Sequence, residues 1–171
     1  MKADLVLDAR ASRVRVHTFA EGLFARLAHD LEITCGSLEG TASRDAKTAT
    51  IEAPLSALEV AGVLKDGRLD EHALSASDRR DIASKMLREV FHADASARLK
   101  VEATIEGVKL FLPNGRELAI ATRVNVEELR ATGSFDVSLS AIGSDVIKGP
   151  MNAFRVKDRV AVLFDVRFVA G

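Results

Sequence analysis

Apolar residues recur at every second position through much of this chain. Val14 and Val16 alternate with Arg13, Arg15 and His17, and Leu31, Ile33 and Cys35 with Glu32 and Thr34. Leu99, Val101, Ala103 and Ile105 form a third row, and Leu118, Ile120, Thr122, Val124 and Val126 a fourth. Phe135, Val137 and Leu139 follow, then Val160, Val162, Phe164, Val166 and Phe168. A period of two marks strands with one buried face and one wet face. Such strands pair antiparallel, because parallel strands covered on both sides read as unbroken apolar runs. Cys35-Gly36-Ser37, Asp45-Ala46-Lys47 and Pro113-Asn114-Gly115 are expected hairpin links. About eight to ten strand-like segments favour a closed barrel or a sandwich over an open sheet.

Two stretches leave the alternation. Residues 77–91 place Ile82, Met86, Leu87 and Val90 at helical spacing. Ser75 and Ser77 are candidate N-caps, and Ser75 with Asp78 resembles a capping box. Residues 20–28 place Leu23, Phe24 and Leu27 on one side of a short helix. Residues 54–74, with a proline, two glycines and several charges, read as a long loop.

Composition narrows the function classes. A chain of 171 residues, 47% hydrophobic and 29% charged, fits one globular domain with a sizeable core. Twenty-four Lys and Arg against 25 Asp and Glu leave a formal net charge of −1. There is no basic excess to neutralise phosphates, so nucleic acid is not an expected partner. No apolar run approaches the roughly 18 residues of a membrane-spanning helix. The N-terminus, MKADL, has no apolar core of a signal peptide, so a cytoplasmic location is expected, or a periplasmic one if a leader has been removed.

Candidate chemistry is sparse. His29-Asp30 supplies at most two ligands, and His17, His72 and His92 lack the spacings that set two ligands on one helix face. The pair reads best as capping or turn hydrogen bonds where a helix hands over to a strand. Catalysis would need His29, Asp30 and His92 to converge in one cleft. Cys35 falls in register with Leu31 and Ile33, as a small buried hydrophobe would. Gly133, Gly143 and Gly149 fit no phosphate-binding motif and suggest bulges or bends. No catalytic residue, metal or cofactor is expected.

Three stretches together carry a family resemblance. SRVRVHTFAEGLFARLAHDLEITCGSLEGTA (12–42), LSASDRRDIASKMLREVFHAD (74–94) and ATGSFDVSLSAIGSDVIKGPMNAFRVKDRVAVLFDVRF (131–168) resemble the opening strands, the helix and the closing strands of YceI-like proteins, the polyisoprenoid-binding, lipocalin-like family. Their order spans nearly the whole chain. The resemblance implies one domain over residues 1–171. Its fold is an all-β, extended antiparallel lipocalin-like barrel of about eight strands, with one amphipathic helix and a short helical lid. It implies a non-catalytic binder whose apolar interior takes an isoprenoid-type lipid, with the His29-Asp30 segment at the barrel mouth.

The expected lining is Val14, Val16, Leu31, Ile33, Val101, Ile105, Ile120, Val124, Phe135, Val137, Leu139, Val162, Phe164 and Val166. Ile82 and Met86 cover an opening, and Phe19, Leu23 and Leu27 form the lid. Arg26, His29, Asp30 and Arg88 meet the head group. The alternative is a filled barrel without ligand, acting as an interaction or stress-response protein, since the same residues would fill a solid core. A homodimer is left open.

Overall fold

The alternating rows become paired strands in a computed structural model that describes residues 3–22 and 29–171. Among these residues the chain runs through β1 (Leu5–Leu7), β2 (Arg13–Thr18), β3 (Ala20–Glu21), β4 (Asp30–Cys35), β5 (Glu39–Ser43), β6 (Thr48–Pro54), β7 (Leu58–Lys65) and β8 (Arg68–Asp70). Helix α1 (Ala76–Lys85) follows and continues into a π turn, Met86–Phe91. Then come β9 (Arg98–Ala103), β10 (Gly107–Phe111), β11 (Glu117–Ala121), β12 (Asn125–Glu127), β13 (Arg130–Ser138), β14 (Arg155–Val156) and β15 (Arg159–Ala170).

The long strand β15 organises the sheet. One edge carries β13 from Arg167 to Arg159, and the other carries β2 opposite Val162 and β1 opposite Phe168. Between β1 and β2 the ladder is broken at residues 8–12. There the Ser12 hydroxyl accepts from the Arg167 amide at 2.9 Å and donates to the Asp8 carbonyl at 2.7 Å. From this corner the sheet forks. β1 leads to β5, β6, β9, β10 and β11, while β2 leads to β4, β7 and β8. All ladders are antiparallel, and the sheet curls strongly into a half-barrel. On the far side, the Thr122 hydroxyl just past β11 donates to the Ser134 carbonyl of β13 at 2.8 Å. That edge is drawn back by a side chain instead of a ladder.

The fork corrects one expected hairpin. β4 and β5 do not pair with each other; Gly36, Ser37 and Leu38 carry the chain from one branch to the other. The Asp45–Lys47 and Pro113–Gly115 links do close hairpins, β5–β6 and β10–β11. The fourth row is two strands, β11 and β12, because the chain leaves the β10 ladder after Ala121 and β12 pairs with β13.

Residues 54–74 are not a loop. They hold a short 3-10 turn, β7 and β8. Their alternation is hidden by a bulge: Ile33 faces Val60, but Glu32 faces Gly62, so Ala61 is the extra residue. An inserted residue flips the phase of every position beyond it. Arg79 of α1 closes this irregularity, its guanidinium donating to the Val60 carbonyl at 2.7 Å and the Ala61 carbonyl at 3.0 Å. Ala20 and Glu21, expected in a short helix, form β3 and pair with β14; the rest of that expected helix lies outside the described residues.

The helix starts where its cap dictates. Ser75 Oγ accepts from the Asp78 amide at 3.0 Å, and the Asp78 carboxylate accepts from the Ser75 amide at 3.0 Å. These bonds hold the Asp78 carboxyl below the usual carboxylate range. Ser75→Ala should cost about 1 kcal/mol, read as a lower denaturant midpoint at unchanged slope.

Apolar packing is uneven along the barrel. Leu5, Leu7, Leu38, Val166 and Phe168 form a tight cluster around β1, with Val14 and Phe164 against it. At the other end Ile82, Met86, Leu87 and Phe91 lean over Ile33, Leu55, Leu58 and Val60. No residue of α1 or the π turn is fully buried, although their apolar side chains point inward. They border a space.

Candidate functional site: an apolar cavity under the helix

Two walls and a roof enclose a cavity of about 460 Å³. One wall is a continuous cross-strand row. Phe135 faces Val162, Val162 faces Val16, Val16 faces Ile33, and Ile33 faces Val60. The opposite wall repeats the device, with Ile51, Val101 and Leu110 in one line across β6, β9 and β10. Side chains alternate in and out, so strand pairing in register gathers the apolar ones on the concave face. Ile82, Met86, Val90 and Phe91 form the roof.

Of the expected lining, Val14, Val16, Leu31, Ile33, Ile82, Met86, Val101, Phe135, Val137, Leu139 and Val162 stand on the cavity wall, and His29 reaches it. Others do not. Ile105 is 42% exposed, because the chain turns between Thr104 and Gly107 and the row ends at Ala103. Val124 lies in the break between β11 and β12, its amide bonded to the Ile105 carbonyl. Ile120 is on the same face as Leu110 but off the cavity wall, packed against the cluster of Leu112, Val137, Ile142 and Val160. Phe164 and Val166 belong to the solid end. Phe19 sits under the Arg159 guanidinium, 4.8 Å from its ring centre. Leu23, Arg26 and Leu27 lie outside the described residues.

The expected mouth residues have ordinary structural duties. Asp30 accepts from the Ala20 amide at 2.9 Å, bridging the two ends of residues 20–30. Arg88 points to solvent and comes within 3.8 Å of Glu89. His92 lies 3.3 Å from Asp145. Asp30 and His92 thus have separate partners. Among the described residues, no three His, Cys, Asp or Glu side chains are grouped to hold a metal.

A strap of residues 145–157 borders one end of the cavity and was not foreseen. Ile147, Gly149, Pro150, Phe154 and Val156 line the space. The strap is fastened to the helix by the Asp145 amide on the Glu89 carbonyl at 2.8 Å and by Lys85 Nζ on the Lys148 carbonyl at 2.8 Å. It is fastened to β3 by the β14 ladder and the Arg155–Glu21 ion pair at 2.7 Å. A Cβ on Gly149 would stand 2.4 Å from the Phe154 ring, so glycine is what lets that ring fold back over the strap. The strap has no periodicity, so the sequence carries no signal of its position.

Cys35 is on the wall, and desolvation by burial pushes its thiol from 9.0 up to about 11. The protonated form is favoured in the fold, so this contribution to stability is intact below pH 9.0 and is lost as pH rises toward 11. Thiolate is the reacting species. Iodoacetamide should therefore leave Cys35 largely unmodified at pH 8, with the rate climbing steeply toward pH 11 and rising at any pH on unfolding.

Among the described residues no helix is long and apolar enough to cross a membrane. A curled antiparallel sheet, one helix across it and an apolar cavity between them define a lipocalin-like fold. Two solved structures share it over almost their whole length. A polyisoprenoid-binding domain from Saccharophagus degradans, implicated in plant cell wall breakdown, matches at a TM-score of 0.63 and 12% identity, covering 99% of this chain and 100% of that one. BcnA of Burkholderia cenocepacia matches at 0.61 and 12% identity, covering 96% and 99%. No family model and no curated protein matches the sequence. The fold shared with these two structures agrees with the one that the sequence resemblance to YceI-like proteins implies.

Proposed function

We propose that this protein binds a long apolar lipid of isoprenoid type in the cavity, and that it does so without catalysing a reaction. The observation that carries this reading is the cavity itself. At about 460 Å³ it falls within the roughly 300–1,000 Å³ of small-molecule sites, and aliphatic and aromatic side chains dominate its wall. A filled core would have closed it, as the cluster around Leu5 and Phe168 closes the other end. Burying apolar ligand surface contributes about 25 cal/mol per Å², enough for a long chain to overcome the cost of immobilisation. The polyisoprenoid-binding domain from Saccharophagus degradans supports the choice of ligand, since it shares the architecture that builds the cavity. Lys85, Lys148 and His29 at the cavity border are the groups placed to meet a polar head.

The test is organic extraction of protein purified without detergent, followed by mass spectrometry. A prenyl lipid near one equivalent supports the reading. An empty protein that also refuses prenols added back to it ends it, and leaves the ligand-free barrel.

A further inference from the structure

We propose that the tip of the strap, Met151 with Val146, docks on an anionic lipid surface and that the cavity exchanges its ligand there. The purpose assigned to this docking rests on the proposed function; the docking itself stands on separate observations.

Met151 is 100% exposed and Val146 63%, more than any other large hydrophobic side chain among the described residues. Both belong to the strap whose Ile147, Gly149 and Pro150 line the cavity. An apolar space therefore lies beside Met151, yet the side chain is held in water. The backbone enforces this. Met151 and Asn152 have φ of 55° and 57°, two consecutive non-glycine residues in the left-handed region. Such residues persist only where their surroundings hold them. Here the Asn152 amide donates to the Gly149 carbonyl, the Ala153 amide to Pro150, and the Gly149 amide to Phe154.

The charge around the tip has one sign to spare. Five cations, Lys85, Arg88, Lys148, Arg155 and Lys157, face four anions, Glu21, Glu89, Asp145 and Asp158. Glu21 holds Arg155 at 2.7 Å, Glu89 lies 3.8 Å from both Lys85 and Arg88, and Asp145 lies 3.3 Å from the His92 imidazole, which offsets it only when protonated. Asp158 accepts from the Ser138 hydroxyl and the Ser140 amide. Lys148 and Lys157 are exposed and form no ion pair among the described residues. An apolar tip flanked by free ammonium groups matches the acyl boundary and head groups of an anionic bilayer. A protein partner fits less well, since two side chains fall far short of the roughly 800 Å² per partner of a stable interface. A prenyl chain is itself a bilayer resident, so docking beside the cavity border removes the need to cross water.

Co-sedimentation with vesicles tests the proposal. The protein should pellet with vesicles of equal parts phosphatidylglycerol and phosphatidylcholine, release with rising salt, and bind pure phosphatidylcholine poorly. Met151→Asp should weaken the partition about tenfold, the value of withdrawing one large apolar side chain. Lys148→Glu with Lys157→Glu should abolish the preference for phosphatidylglycerol. Val126→Asp, on β12 at the opposite end of β13, should change nothing. Unaltered sedimentation of Met151→Asp, or no sedimentation of the parent protein, overturns the proposal. Uptake of a prenol from detergent micelles is measured alongside. Its failure with vesicle binding intact would count against the cavity ligand and not against the docking.

Discussion

Val162→Trp is expected to abolish lipid retention while leaving the fold intact. Val162 stands at the middle of the cross-strand row, with Phe135 on one side and Val16 on the other. All three face the cavity. An indole there grows into empty space, so it meets few of the clashes that overpacking brings to a filled core. The variant should unfold at or slightly above the parent temperature, because the new ring gains contacts that the void denies to Val162. Its organic extract should contain no prenyl lipid. A severe loss of stability would mean that the space is already occupied by protein, and retention of lipid would place the ligand elsewhere.

Leu55→Ala should have the largest effect on stability and none on the shape of the cavity. Leu55 is 1% exposed in the short turn between β6 and β7, packed with Ile33, Leu58 and Val60. Its amide donates to the Ala97 carbonyl at 2.8 Å and that of Ser56 to Ala95 at 3.0 Å, so the turn also anchors the strand entering β9. Removing a fully buried leucine costs about 3 kcal/mol, within a range of about 2–5. For a domain of this size that lowers Tm by about 10 °C. Leu55 does not line the cavity, so the folded variant should take up prenols with unchanged affinity. Differential scanning calorimetry and a prenol titration on the same sample separate the two effects.

What the sequence revealed follows from where its periodicity survived. The rows containing Val16, Ile33, Val101, Phe135 and Val162 kept strict alternation, and those residues became the walls. Ser75 and Asp78 announced the helix through a local cap that depends on no distant contact. Periodicity failed where the backbone departs from the ladder. The bulge at Ala61 concealed β7 within an apparent loop, and the turn at Thr104–Gly107 took Ile105 out of its row. Phe164 and Val166 show a different limit. They alternate in phase with Val162, yet pack in the solid end, because alternation gives the face of a strand and not whether the space beyond is filled. The strap was invisible for a third reason. Its place is set by contacts between residues far apart in the chain, the Asp145 amide on Glu89, Lys85 on the Lys148 carbonyl and Arg155 on Glu21, which leave no local pattern.

Affinity as a function of chain length measures most directly whether the hollow takes an apolar chain. Stripped protein is titrated with prenols of increasing length. Each buried methylene contributes about 0.8 kcal/mol before ordering costs, so affinity should climb with every isoprene unit until the cavity of about 460 Å³ is full, then level off. Val162→Trp should lose measurable binding across the whole series. Affinity that stays flat across the series, or that is the same in Val162→Trp at every length, would contradict the account.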